Sequence, residues 1–267
     1  MKKLKINHIS ISRESTWKEC KKKYHYRYHL EMIPPTEPIY FLYGKIVHKI
    51  IEVYTRGKGQ QNINEITKNV LKGDILLEEA HGDKPEKRVT GPLPTDYANK
   101  LPYHLTNFMK LIKVIGFGGD VEWKFEHDLD PPNNRLLTGV IDYHIKKPDS
   151  CVIVDYKTTK QGPWRKNKYT IGSDLQLQCY ARVAQKNFGY KADQITCALY
   201  FLEGAEFVPT QFSQETINGV EKRLLDVYKE IESHDADSVK GTVGKHCYRC
   251  DYSNICPFFN TMGLYEG

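Results

Sequence analysis

Up to about residue 116 the apolar positions recur every three or four residues, and from about Asp120 they alternate with polar ones over short runs. That change of period predicts a helical first part and a strand-rich middle. Ser12 precedes a run from about Arg13 to Leu30 in which Trp17, Cys20, Tyr24 and Tyr28 fall near one face, the pattern of a capped helix. The prolines of IPPTEP (33–38) end it. YFLYGKIVHKIIEVYTRG (40–57) reads as a second helix, with Ile46, Ile50 and Val53 on an apolar stripe and Gly57 at its end. Residues 62–116 read as mostly helical, interrupted by HGDKPEKRVTGPLPTD (81–96), a loop by its prolines and glycines.

Three strands follow: VEWKFEHDL (121–129), RLLTGVIDYHI (135–145) and CVIVDYKTT (151–159). A helix is expected over 174–188, with Ser173 and Gln176 as a capping box and Gly189 as its stop. QITCALYFLE (194–203) reads as another strand. SQETINGVEKRLLDVYKEIES (213–233) is an amphipathic helix with Ile217, Val220, Leu224, Val227, Tyr228 and Ile231 facing inward. The order predicts an α/β fold, a small mixed sheet flanked by helices, in one domain spanning 1–267.

Composition changes this picture little. No apolar run is long enough to span a bilayer, and MKKLKINHISIS has a basic start without an apolar core, so a soluble intracellular chain with no membrane partner is expected. Lysine and arginine exceed aspartate and glutamate by 39 − 33 = 6, a weak pointer to a polyanionic partner. The placement says more. WKECKKKYHYRYH (17–29) gathers Lys18, Lys21, Lys22, Lys23 and Arg27 among Tyr24, Tyr26 and Tyr28, either to track a single strand and stack its bases or as a solvated helix face with its rings in the core.

Candidate chemistry sits on two consecutive strands. In CVIVDYK, Cys151, Ile153, Asp155 and Lys157 share one face, and Val152, Val154 and Tyr156 share the other, expected to be the packed one. If KKPDS closes a hairpin with an even-numbered loop, paired positions sum to 297 and Asp142 lies opposite Asp155. Two carboxylates so placed suit Mg²⁺ or Mn²⁺, and Lys157 at the edge suits phosphodiester hydrolysis by orienting water or stabilising developing charge. A lone D-x-K triplet is common by chance, and a structural ion pair is the plain alternative. His48 lies four residues before Glu52 on one helical face, and Gln176 four before Tyr180.

The ordered set Gly44 and His48, Gly139 and Asp142, Asp155 and Lys157, Gln176 and Tyr180 resembles the PD-(D/E)xK nucleases of the RecB type over residues 10–258. The branch it is most similar to carries a C-terminal iron–sulfur staple and includes CRISPR adaptation exonucleases and the nuclease domain of AddB-type recombination proteins. The resemblance implies His48, Asp142, Asp155 and the backbone carbonyl of Tyr156 as metal ligands, Lys157 as catalytic, and Gln176 and Tyr180 as groups that position Lys157 or the DNA. Glu122 is implied more weakly, because EWKFEHD offers competing acids. The helical segment 58–118 stands as an insertion. The implied activity is a Mg²⁺- or Mn²⁺-dependent DNA exonuclease on single-stranded or end-exposed DNA, in recombination, repair, CRISPR adaptation or viral DNA processing. The alternative is a non-catalytic DNA-binding subunit. No phosphate-binding GKT or GKS loop occurs, so a helicase partner would be a separate chain.

Of seven cysteines, Cys151, Cys179 and Cys197 stand singly in apolar text and read as small core hydrophobes. Cys247, Cys250 and Cys256, in HCYRCDYSNICPF (246–258), have metal-ligand spacing but lack a fourth ligand. Zinc with His246 is open, as is a 4Fe–4S cluster. The resemblance supplies Cys20 as the fourth cysteine of a 4Fe–4S cluster, closing the tail 244–260 onto the start of the chain.

Overall fold

The computed structural model describes residues 2–34, 37–78, 86–163 and 165–259. In chain order they form β1 (His8–Ile9), α1 (Ile11–Glu19), α2 (Lys21–Tyr24), a π-helical turn (His25–His29), α3 (Ile39–Arg56), α4 (Ile63–Lys72) and α5 (Thr95–Ile115). These are followed by β2 (Asp120–Asp130), β3 (Arg135–Lys147), β4 (Ser150–Lys157), α6 (Leu175–Phe188), β5 (Ile195–Phe201), β6 (Glu206–Thr210) and α7 (Gln214–Ser233). Part of the loop expected over 81–96, and position 260 of the cysteine tail, lie outside the described residues. Among the described residues no helix is long and apolar enough to cross a membrane. The chain divides into two compact units built from non-contiguous segments, a division that the single-domain expectation does not draw.

The first unit comprises 1–37, 124–139 and 215–267. Here β1 pairs in parallel with the start of β3, His8 opposite Leu136. The cap of α1 is Ser10 rather than Ser12: its side chain accepts from the Arg13 amide at 3.3 Å. Nor does one helix run to Leu30, because Cys20 is extended (φ −160, ψ 114) and separates α1 from α2. The aromatic face survives the break, with the Trp17 and Tyr24 rings 5.2 Å apart and those of Tyr24 and Tyr28 5.0 Å apart. Tyr24 and Tyr26 are buried, so their rings belong to the core and offer no surface to a base. Each of the six inward positions expected on α7 is buried.

The second unit comprises 38–123 and 140–214. The rest of β3 pairs antiparallel with β4, with Tyr143 opposite Val154, the register that the hairpin arithmetic predicts. β4 pairs in parallel with β5, Ile153 opposite Cys197, and β5 antiparallel with β6, Leu199 opposite Val208. β6 carries Pro209, which an edge strand tolerates. The expectation that only one face of β4 is packed is corrected. Flanked by β3 and β5, β4 is an interior strand, and Cys151, Ile153 and Asp155 are as deeply buried as Val154 and Tyr156. α6 covers the first face, where the Cys197 thiol reaches the Leu177 carbonyl at 3.6 Å. α3 and α5 cover the second, in one core with Ile46, Ile50 and Phe108 against Val154 and Tyr156. The N-cap of α6 is Asp174, whose carboxylate accepts from the Leu177 amide at 3.0 Å; Ser173 instead accepts from Lys166 at 2.8 Å. Gly189 ends the helix with φ +78, as its position predicts.

Candidate active site

All the expected catalytic and metal-ligating positions fall in the second unit: Asp142 within β3, Asp155 and Lys157 at the end of β4, His48 on α3, and Gln176 and Tyr180 on α6. Continuing the observed register places Asp142 opposite Asp155. One Asp142 oxygen accepts from the Tyr156 amide at 2.7 Å. The other lies 3.6 Å from His48 Nδ1, brought in by the middle of α3. The other ring nitrogen of His48 donates to the Tyr156 carbonyl at 3.2 Å. Glu52 is not part of this cluster: it pairs with Lys49 at 2.6 Å and Arg56 at 3.0 Å.

The residue that completes the cluster is Glu122, whose carboxylate is 3.5 Å from His48 Nδ1. Its backbone has φ +49, left-handed and uncommon for a residue with a side chain. This reverses the alternation of β2. Val121 packs in the α3–α5 core, whereas the Trp123 ring meets His144 at 5.3 Å and Phe188 at 5.0 Å on the α6 side. Without the kink, residues 121 and 123 would share a face and Glu122 would point elsewhere. No residue type in EWKFEHD signals this, which is why the sequence alone ranks Glu122 low.

Among the described residues, His48, Glu122 and Asp142 form the one trio of ligand atoms all within 4.8 Å of one another. A nitrogen and two carboxylates facing one point are a donor set that a hard or borderline divalent cation fits. Asp155 is not in that trio. Its carboxylate faces Lys157 Nζ at 2.5 Å, an ion pair without hydrogen-bond alignment. Lys157 donates to the Gln176 carbonyl oxygen at 3.0 Å, Gln176 donates to the Tyr180 hydroxyl at 2.7 Å, and Tyr180 donates to the Val140 carbonyl at 2.6 Å. The i, i+4 pair on α6 thus fixes the lysine and is itself anchored on β3.

The charges explain one another. Burial opposes a charged His48, yet Asp142 and Glu122 outweigh it and raise the pKa to about 9. Burial raises that of Asp155 to about 6, against the pull of Lys157 and with the push of Asp142. Burial likewise works against the Lys157 ammonium, but Asp155 and Asp142 hold its pKa above the ordinary value. Burial, with Glu122 beside it, keeps Asp142 above the usual carboxylate range. Crowded acids of raised pKa are the condition that a cation relieves. Of the motif glycines, Gly139 has a steric reason, since a Cβ there would lie 2.5 Å from the Phe125 ring. Gly44 has none of that kind: its Cβ would meet Thr158 at an ordinary 3.9 Å.

The first unit brings Cys20, Cys247, Cys250 and Cys256 around one small cavity, closed by Tyr26 and Phe258. The extended conformation of Cys20 that interrupts the N-terminal helix is what makes it a member. His246, the zinc alternative, also lines the cavity, but its Nε2 is engaged with the Thr242 carbonyl at 2.8 Å. Cys151, Cys179 and Cys197 are fully buried in the second unit, as core cysteines should be.

The model of the PD-(D/E)XK nuclease superfamily matches residues 8–257. No curated protein matches the chain by sequence. Among solved structures, a candidate exonuclease from Eubacterium rectale is similar at 12% identity, with 92% of this chain and 88% of that one covered and a TM-score of 0.55, a likeness of fold. A second, SSO0001, covers 89% of this chain and 93% of its own at 15% identity, with a TM-score of 0.34. With a family match over nearly the whole chain and an α/β core that sets acids and a lysine on adjacent strands, this protein belongs to the PD-(D/E)XK nuclease superfamily.

Proposed function

We propose that the protein is a Mg²⁺- or Mn²⁺-dependent deoxyribonuclease acting as an exonuclease on single-stranded or end-exposed DNA. The observation that supports this most is the convergence of His48, Glu122 and Asp142 beside the Asp155–Lys157 pair. Bound there, the cation supplies polarisation of a phosphate oxygen and a lowered water pKa. His48, Glu122, Asp142 and the Tyr156 carbonyl offer its donors, with Asp155 next to them. Lys157 orients the attacking water or meets the charge that develops on the phosphate. Gln176 and Tyr180 restrict the ammonium to that position. The intact set of acids and lysine speaks against a non-catalytic DNA-binding subunit.

The four cysteines of the first unit we assign to a 4Fe–4S cluster that staples positions 20 and 247–256. Four thiols drawn from both ends of the sequence around one cavity support that assignment. Iron and sulfide analysis, with absorbance at about 400 nm, tests it; stoichiometric zinc without iron would refute it.

The nuclease reading is tested with end-labelled single-stranded, blunt duplex and circular DNA, titrated with Mg²⁺ or Mn²⁺. Products shortened from an end and abolished by EDTA are expected. Intact DNA under every condition would overturn the reading, and cleavage of circles would replace exonuclease with endonuclease.

A further inference from the structure

The chain between Lys157 and Gln176 leaves the catalytic face and returns to it, closed by the 3.0 Å hydrogen bond between those two side chains. From Thr158 to Ser173 it contains Lys160, Arg165, Lys166 and Lys168 and no acidic residue. Arg165 is an anchor: it pairs with Glu206 at 2.6 Å, donates to the Glu203 carbonyl at 3.2 Å and lies over the Phe201 ring at 3.8 Å. The three lysines meet no carboxylate among the described residues. Lys166 is held by Ser173, Lys168 lies 4.9 Å over the Tyr169 ring, and Lys160 lies beside Lys100 of α5.

Tyr169 is 83% exposed although its backbone is well held. Asn167 caps the turn, its side chain accepting from the Tyr169 amide at 2.9 Å and its carbonyl from the Ile171 amide at 2.8 Å. Gln178 of α6 ties the same turn down through the Gly172 carbonyl at 2.8 Å. A large ring presented to solvent on a braced turn, next to lysines that form no ion pair among the described residues, forms a surface for a polyanion that carries flat apolar groups. A duplex shields its base faces, and a single strand exposes them.

We infer that the turn around Tyr169, with Lys166 and Lys168, is a strand-binding track that selects single-stranded over duplex DNA and delivers it to Lys157. Tyr169 stacks on a base, and the lysines neutralise neighbouring phosphates. This rests on the reading of the chain as a deoxyribonuclease. It moves the aromatic and basic contact away from residues 17–29, where Tyr24 and Tyr26 are buried.

The test is fluorescence anisotropy of a labelled oligothymidylate and of a blunt hairpin duplex with the full chain carrying Lys157→Ala, so that bound DNA is not consumed. Adding Tyr169→Ala is expected to weaken oligothymidylate binding about tenfold with duplex binding unchanged, and Tyr169→Phe to restore it. Lys166→Ala with Lys168→Ala is expected to reduce the salt dependence of single-strand binding by about one unit of slope. Circular dichroism confirms the fold of each exposed-residue variant. No oligothymidylate binding at the start, unchanged affinity in Tyr169→Ala, or equal losses on both DNA forms would overturn the track. Normal binding by this chain with no cleavage by wild type would defeat the nuclease reading instead.

Discussion

The catalytic face and the cysteine cavity both gather residues far apart in sequence, but they are held together differently. At the catalytic face, His48 is flanked by two carboxylates and a carbonyl, and Asp142 accepts a backbone amide. Lys157 is tied to Asp155 and, through Gln176 and Tyr180, to β3. The side chains thus hold one another in place through direct contacts. Around the cavity the four thiols form no disulfide, and one of them, Cys20, sits at a break between helices. The segments that carry them also meet directly, through the Tyr252 hydroxyl on the Met32 carbonyl at 2.8 Å and the Tyr26 and Tyr252 rings 5.4 Å apart. In the proposed assignments one region carries the chemistry, and a cluster in the other would add a further link to the scaffold.

Removing an acid of the proposed active site should have the largest effect. Asp142→Asn should slow DNA cleavage by about a thousandfold or more, because a cation donor and the orientation of the Tyr156 amide are both altered. Its thermal midpoint should move little, since one of several crowded buried acids is lost. A large drop in midpoint with modest loss of rate would reverse the assignment. Cys250→Ser should do the opposite: lose the bound metal and lower the unfolding midpoint by several degrees, while the protein that remains folded still cleaves. A full loss of cleavage in chains shown to be folded would make the cavity part of the chemistry.

Smaller effects sharpen the picture. Gln176→Ala should lower kcat about tenfold with KM little changed and shift the alkaline limb of the pH–rate profile, as a positioning residue for Lys157 should. A KM effect alone would place Gln176 on the substrate instead. The first unit also carries a pH dependence of its own. Burial, with Lys22 and His29 nearby, lowers the His25 pKa to about 4 from an ordinary 6.5. Folding therefore favours the neutral ring. That stability is fully present above about pH 6.5 and is lost as pH falls toward about 4. Urea midpoints at pH 7 and pH 5 should show the loss, and His25→Phe should flatten it.

Much of this arrangement is legible in the sequence because it depends on local periods. The inward face of α7 follows from a 3.6-residue repeat, and the juxtaposition of Asp142 and Asp155 from a short turn between two strands. What stays hidden depends on partners distant in the chain. That β4 is buried on both faces follows from parallel pairing with β5, some forty residues later, which no local pattern reveals. β1 is too short to carry an alternation, and β6 is five residues with a proline. The helix break at Cys20 occurs inside an uninterrupted helical pattern, and the inward aim of Glu122 depends on one left-handed backbone angle. Asp174 and Ser173 are equally able to cap a helix, and the engagement of Ser173 by Lys166 decides between them.

In the proposed mechanism cleavage is carried by Lys157 beside a cation held at His48, Glu122 and Asp142. The measurement that meets it most directly is single-turnover cleavage of end-labelled single-stranded DNA by wild type and Lys157→Ala, each saturated with Mn²⁺ whose binding is titrated in parallel. Unchanged or slightly tighter Mn²⁺ binding is expected, with a rate at least about a hundredfold lower in the variant. Equal rates at equal Mn²⁺ occupancy would contradict it.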